Sequence, residues 1–237
     1  MRRFLIFATA LSLVFTVSGQ EKPPQLKDTK DKASYSIGLD VGFTLKHQNF
    51  DLNTDAFSAG FKDAMTGRKP LLTEQEVKDT MTVFEKEVQQ KQQAMTQKNA
   101  AEGEKFLAEN KTKEGVKTTA SGLQYKALKE GSGPQPKATD TVTVNYRGTL
   151  VDGTEFDSSY KRGQPATFPL NNVIKGWTEG LQLMKVGSKY QLFIPASLAY
   201  GEPGRPGIPS SSTLIFEVEL MDVKPASDIP ASPSPSK

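Results

Sequence analysis

The stretch from Gln89 to Lys98 constrains this chain more than any other. It reads Gln-Gln-Lys-Gln-Gln-Ala-Met-Thr-Gln-Lys, with no glycine or proline to break a helix and almost nothing apolar to bury. A helix that is polar on every side has no core to join, and its usual place is in solvent between folded bodies. The helix begins upstream at Thr73-Glu-Gln-Glu76, a capping box in which the threonine oxygen and Glu76 satisfy each other's orphan backbone donors. Val77, Met81, Phe84 and Val88 give its first half an apolar stripe. Continued to about Asn110 it is about 57 Å long at 1.5 Å per residue, with Gly115 as its stop. A strut of that length serves a purpose only if its ends are kept apart, so the chain of 237 residues divides into a part before it and a part after it.

Before the strut the apolar spacing is helical from about Lys32 to Arg68. Ala33, Ile37, Val41 and Leu45 recur every fourth residue, and Ser34, Gly38 and Gly42 form a small-residue stripe beside them. Such a stripe permits close helix approach, although taken singly each glycine would only weaken a helix by about 1 kcal/mol. A second short helix starts at Asn53 or Thr54, carries Phe57, Phe61 and Ala64 inward, and ends at Gly67. Two short helices and half of a long one bury little alone, which predicts a homodimer in which a second copy completes the core. The competing reading is a small helical cap folded on its own domain.

From Gly122 the pattern changes to strands. Val142, Val144 and Tyr146 alternate with polar residues, as do Leu214, Phe216, Val218 and Leu220, and Asp152-Gly153 is a type I′ hairpin signal. Between them one short amphipathic helix is expected within Val173 to Met184, with Val173, Ile174, Trp177 and Leu181 at helical spacing. The fold class is α+β: a C-terminal antiparallel sheet wrapped on one short helix, preceded by an all-α region and a long connecting helix.

The two ends carry different signals. Residues 1–19 combine Arg2 and Arg3 with an apolar stretch and then small residues, which is the pattern of a cleaved secretory signal peptide. The apolar part, Phe4 to Val17, is shorter than the roughly 20 residues of a spanning helix, so no stable membrane span is expected. The chain contains no cysteine, which removes disulfides, thiolate chemistry and a lipid-bearing N-terminal cysteine. Of the formal charge of +3, two units belong to Arg2 and Arg3, and the remaining charges are interspersed, so no nucleic-acid footprint is present. These features point to the periplasm if the source is bacterial, and to the secretory pathway otherwise. Residues 225–237 are rich in proline and serine and should be disordered. Their Pro230-Ala-Ser-Pro233 fits a minimal P-x-x-P partner motif, a pattern common by chance.

Few residues could do bond-making chemistry. With one histidine, His47, in the predicted N-terminal helix, no cysteine and no carboxylates at metal spacing, a Ser-His-Asp triad, a zinc site and a histidine acid/base pair are all poorly supplied. No metal or cofactor is expected. The glycine-rich run Gly201 to Gly207 lacks the lysine and the strand-loop-helix setting of a phosphate loop, and reads as a mobile, proline-bent loop. What remains is a group of aromatics at strand ends and loops: Tyr146, Phe156, Trp177, Tyr200 and Phe216. Each alone reads as plain core.

The segment from Thr119 to Val223 resembles the FKBP family of peptidyl-prolyl cis/trans isomerases. The resemblance rests on Val144-Asn-Tyr-Arg-Gly148, Asp152-Gly153, Phe156-Asp-Ser-Ser159, Val173-Ile-Lys-Gly-Trp177, Glu179-Gly180, Ala199-Tyr-Gly201 and Ser212 to Leu220, all collinear. The preceding region, through Tyr35-Ser-Ile-Gly-Leu39 and Phe57-Ser-Ala-Gly-Phe61, looks like the N-terminal domain of the Mip/FkpA-type bacterial members, which are V-shaped homodimers of periplasm or cell surface. The resemblance implies a helical dimerisation domain with its linker helix over 28–115, an isomerase domain over 119–224, proline-containing unfolded or exported polypeptides as substrates, and macrolides as inhibitors.

The resemblance also assigns roles. It implies catalytic positions at Asp157, Tyr200 and Phe216, and a substrate pocket with Trp177 as floor and Tyr146, Phe156, Phe168, Val173, Ile174 and Ile208 around the prolyl ring. Tyr200 would donate its hydroxyl to a carbonyl, the Ile174 N–H would bind a neighbouring one, and Asp157 would sit at the edge, held by Tyr146 and Arg162. On its own, Asp157 reads as a turn residue capping Ser158 and Ser159, and Arg162 as a solvated charge. Ala166, Arg205 and Ser210 depart from the residues many members carry, and the segment from Leu170 to Val173 looks one residue short. These departures lie on the rim and bear on drug affinity and sequence preference. The competing function is a periplasmic chaperone or peptide-binding module with little turnover.

Overall fold

The computed structural model describes residues 25–47 and 50–226, so the signal-peptide reading and nearly all of the Pro/Ser tail lie outside the described residues. The chain forms two compact units that divide between Lys46 and His47. The described residues of the first lie mostly in the helix α1 (Thr29–His47), whose last residue falls in the second. It starts three residues earlier than the apolar spacing indicates because the Asp28 side chain accepts the Asp31 N–H at 2.8 Å, a local cap that periodicity does not register. Ile37 is 65% exposed on it, and among the described residues nothing outside the helix lies within 4 Å of where a Cβ on Gly38 or Gly42 would stand.

The second unit opens with α2 (Thr54–Thr66). Asn53 accepts the N–H groups of Asp55 and Ala56, and Gly67 ends the helix with φ +67, as the two expected cap residues require. The long helix α3 (Glu74–Asn110) follows, and its Thr73/Glu76 capping box is formed in both directions. Its 37 residues span about 56 Å. The C-terminal end of this strut is not free in solvent. Phe106 packs on Phe193 with ring centroids 5.9 Å apart, and Asn110, only 2% exposed, donates to Gln124 Oε1 at 3.0 Å. Gln124 in turn donates to the Leu107 carbonyl at 2.8 Å.

Beyond α3 the chain forms an antiparallel sheet from β1 (Val116–Thr118), β2 (Gln124–Lys129), β3 (Thr141–Leu150), β4 (Glu155–Ser158), β5 (Ala166–Pro169), β6 (Lys189–Ile194) and β7 (Leu214–Lys224). The order is β1-β2-β6-β7-β3-β4, with β5 also paired to β3. A one-turn helix α4 (Ser159–Arg162) and the helix α5 (Lys175–Leu181) complete the unit. The period-two alternation on β3 and β7 is kept: Val142, Val144 and Tyr146, and Leu214, Phe216, Val218 and Leu220, all face the core. Opposite them, α5 lies close on β6 because Gly176 and Gly180 replace side chains that would run into Ile194 and Leu192.

Two local expectations change. Val173 and Ile174 are not helical; they are extended, at φ −104 and −59, and α5 begins only at Lys175. The β3–β4 connection is not a type I′ turn. Leu150 bonds Thr154 across a three-residue loop, Gly153 N–H donates back to Leu150 O, and only Gly153, at φ +88, has positive φ. That is a type I turn closed by a glycine bulge.

Candidate active site

The sheet and α5 converge on a concavity of about 670 Å³. Alternation on β3 turns Tyr146 into it and alternation on β7 turns Phe216 into it, while β4 contributes Phe156 and Asp157 and β5 contributes Phe168. The extended pair Val173 and Ile174 reaches it from the entry to α5, whose first turn supplies Trp177. The loop after β6 closes the remaining side with Tyr200 and Ile208. Ten of the eleven residues expected at the site therefore line one cavity. Arg162 is the exception, and it acts on the cavity through its neighbours.

Trp177 lies 4% exposed at the centre of the aromatic group. Tyr146, Phe168 and Phe216 meet it nearly perpendicularly, with centroids 5.0, 5.7 and 5.2 Å away. Phe156 meets Phe216 the same way at 5.4 Å. Edge-to-face contacts put the positive edge of one ring on the negative face of the next, which fixes the rings' orientation as well as burying them. The Trp177 indole N–H is buried without a hydrogen-bond partner among the described residues, so packing alone holds this ring.

At the rim, Tyr146 donates its hydroxyl to Asp157 Oδ2 at 2.5 Å, and Arg162 donates from one guanidinium nitrogen to Tyr146 Oη at 2.7 Å and from the other to Asp157 Oδ1. The Arg162 guanidinium also stands 5.3 Å from the Tyr146 ring centroid. Asp157 is thus more than a turn residue. Burial works against its charge, but the hydrogen bonds from Tyr146 and Arg162 outweigh it and hold the carboxyl below the usual carboxylate range. Burial, together with donation to Asp157, pushes the Tyr146 phenol up. Its hydrogen bonds to Tyr146 and Asp157 push the Arg162 guanidinium up.

The structure adds three residues that sequence reasoning did not assign to the pocket: Asn172, Arg205 and Pro206. Asn172 sits in a 3-10 turn, Leu170–Asn172, in the segment that looked short. Arg205 donates to Tyr200 Oη at 3.0 Å and lies 5.0 Å from its ring centroid. The Tyr200 oxygen therefore accepts from within the protein, and none of the described residues accepts its hydrogen. Only the departure at Arg205 hinted at this contact. The glycine-rich loop also carries a hydrogen-bonded turn of its own. Arg205 and Ile208 exchange backbone hydrogen bonds of 2.9 and 2.8 Å around Pro206-Gly207, a type II turn with Gly207 at φ +83. The Ile174 carbonyl accepts from Trp177 and Thr178, whereas its own N–H is engaged by none of the described residues.

The site offers a deep apolar floor, a few oriented donors and a neutralised carboxylate, with no nucleophile beside a base. Comparison with known proteins agrees with that chemistry. Residues 133–221 match the FKBP-type peptidyl-prolyl cis-trans isomerase family, and residues 30–127 match the domain amino terminal to FKBP-type peptidyl-prolyl isomerase. The chain is 44% identical to the outer membrane protein MIP of Legionella longbeachae, over 95% of this chain and all of that one. It is likewise 44% identical to the FKBP-type peptidyl-prolyl cis-trans isomerase FkpA of Escherichia coli K12, over 95% of this chain and 90% of that one. The crystal structure of FkpA from Escherichia coli superimposes with a TM-score of 0.62, covering 85% of this chain and 100% of that chain. The chain belongs to the FKBP-type peptidyl-prolyl cis-trans isomerases and is an enzyme of that activity.

Proposed function

We propose that this isomerase takes X-Pro segments of unfolded, exported polypeptides into the ring-lined cavity, and that the convergence of Tyr146, Phe156, Trp177 and Phe216 on one concavity carries this reading. Rotation about the X-Pro bond is slow because the twisted amide loses resonance, at a barrier of about 18–20 kcal/mol. A planar amide is more dipolar than a twisted one. Moving it from water onto aromatic faces therefore penalises the ground state more than the transition state, which is the differential binding catalysis requires. Trp177 forms the floor beneath the prolyl ring, with Phe156, Phe168, Val173, Ile174, Ile208 and Phe216 as walls. The Tyr200 hydroxyl and the Ile174 N–H are preorganised donors for the carbonyls beside the rotating bond. Asp157, held by Tyr146 and Arg162, sets the polar edge. No proton is transferred and no bond is broken.

The helical part, residues 28–115, serves as the dimerisation region. On α2 no residue is buried, and Phe61 and Met65 are 61% and 73% exposed. A monomer would leave that apolar surface in water, which favours a homodimer. With its outer-membrane and FkpA relatives, the chain acts in the periplasm or at the cell surface. Macrolides, the inhibitors the family resemblance implies, compete with substrate for the same cavity.

The test is proline-limited refolding catalysed by full-length wild-type protein and by Phe216→Ala, with folding checked by circular dichroism. Activity should fall by an order of magnitude or more as the cavity wall is lost (a cost of about 3–5 kcal/mol in a core, partly expressed as stability). A folded variant with undiminished activity overturns the pocket assignment.

A further inference from the structure

The loop that closes one side of the cavity is held from behind by the long helix. This loop leaves β6 and returns to β7, presenting Tyr200 and Ile208 to the cavity on the way. Its outer part is tied by the Arg205–Ile208 bridge. Its return limb, from Pro209 to Thr213, is held differently. Ser211 has φ +54, the one positive value at a non-glycine position among the described residues, and its N–H donates to Gly201 O at 3.0 Å. Beside it Ser210 is 4% exposed, and both of its free polar groups are met by α3. Gln92 Nε2 donates to Ser210 Oγ, and Asn99 Nδ2 donates to the Ser210 carbonyl at 2.9 Å.

The spacing on the helix is consistent with a built contact. Gln92 and Asn99 are two turns apart and share a face, and Gly103 continues that face one turn on. Gly103 is buried, and a Cβ there would run into the Thr213 side chain, so the glycine lets the helix backbone approach the end of the same limb. Gln92 belongs to the polar stretch that reads as a helix alone in water, and Asn99 follows directly after it. Both meet a buried serine whose carbonyl and hydroxyl would otherwise lie unpaired, a costly arrangement. Ser210 is two residues from Ile208, so its placement governs how deeply Ile208 enters the cavity.

We infer that Gln92 and Asn99 are positioning residues for the isomerase: through Ser210 they fix the loop that presents Ile208 and Tyr200 to the substrate. The inference rests on reading the cavity as the X-Pro site. It gives the long helix a part in substrate affinity besides that of a spacer. A proline at position 210 would keep the carbonyl that Asn99 meets but would offer Gln92 no hydroxyl.

The test uses full-length protein and a chromogenic X-Pro tetrapeptide, with KM and kcat measured separately. Asn99→Asp is isosteric and turns a donor into an acceptor facing a carbonyl. It should raise KM by about two- to tenfold, the effect of one net hydrogen bond, with kcat within about twofold. Gln92→Ala, at an exposed position, should shift KM the same way by less, and Gln92→Glu, which can accept from the Ser210 hydroxyl, should restore it. Should Asn99→Asp fail to fold, the Gln92 pair decides alone. Unchanged KM in folded variants overturns the inference, as does a lowered melting temperature with KM intact, because the contact would then only dock the helix. Phe216→Ala is measured in parallel. If it keeps full activity, the cavity assignment fails and takes this inference with it. If it loses activity while the Gln92 and Asn99 variants do not, only the positioning role fails.

Discussion

Tyr146 donates to Asp157 Oδ2 at 2.5 Å, and Arg162 donates to both of them, so the one carboxylate at the cavity edge is neutralised on two sides. The groups in this trio are displaced away from neutrality, Asp157 downward and Tyr146 upward. The isomerisation rate should accordingly be flat between about pH 6 and 8. Midpoints within that window in a rate profile would contradict a mechanism without proton transfer.

The same trio sets a pH dependence of stability. Because the Asp157 carboxyl titrates lower in the folded chain than in the unfolded one, its contribution is present above the unfolded value of about 4 and is lost as pH falls through the lower folded value. The carboxylate is 41% exposed, so the contribution is modest. Denaturant midpoints of wild type and Asp157→Asn should differ most near neutrality and converge in acid.

Gly148 pairs with Phe216 across β3 and β7, and a Cβ there would stand 2.7 Å from both Phe156 Cζ and Phe216 Cε1. Gly148→Ala must displace the two rings that form the cavity wall. It should destabilise the fold by about 1–3 kcal/mol, as overpacking does, and should reduce refolding catalysis even at temperatures where the variant is fully folded.

Arg205 orders Tyr200 through its hydroxyl oxygen and its ring face. Tyr200→Phe should lower kcat/KM by about two- to tenfold, the range of one hydrogen bond, and Arg205→Ala by less. If Arg205 acts through that hydroxyl, the double variant should be no worse than Tyr200→Phe, a non-additivity that a double-mutant cycle reads directly.

What could be read from the chain beforehand was local. Asn53, Gly67 and the Thr73/Glu76 pair mark helix ends because a cap is made by residues within four positions of one another. The alternation on β3 and β7 is legible because a strand facing a core repeats every second residue. Signals that depend on distant packing are not legible in the same way. Val173 and Ile174 have helical spacing relative to Trp177, yet they are extended because they form the cavity's edge. Asp152-Gly153 carries the dipeptide of one turn but adopts another, and nothing within the dipeptide distinguishes them.

By itself the sequence determined the helical region followed by an antiparallel sheet and the aromatic residues that line the cavity, because periodicity, capping and collinear motifs are properties of neighbours along a chain. Tertiary structure alone decided how Trp177 is boxed by perpendicular rings, that Arg205 holds Tyr200, and that Gln92 and Asn99 meet Ser210 more than a hundred residues away. Those contacts depend on which surfaces the folded backbone brings within about 3–6 Å, the range of hydrogen bonds and ring contacts, and separation along the chain carries no record of that.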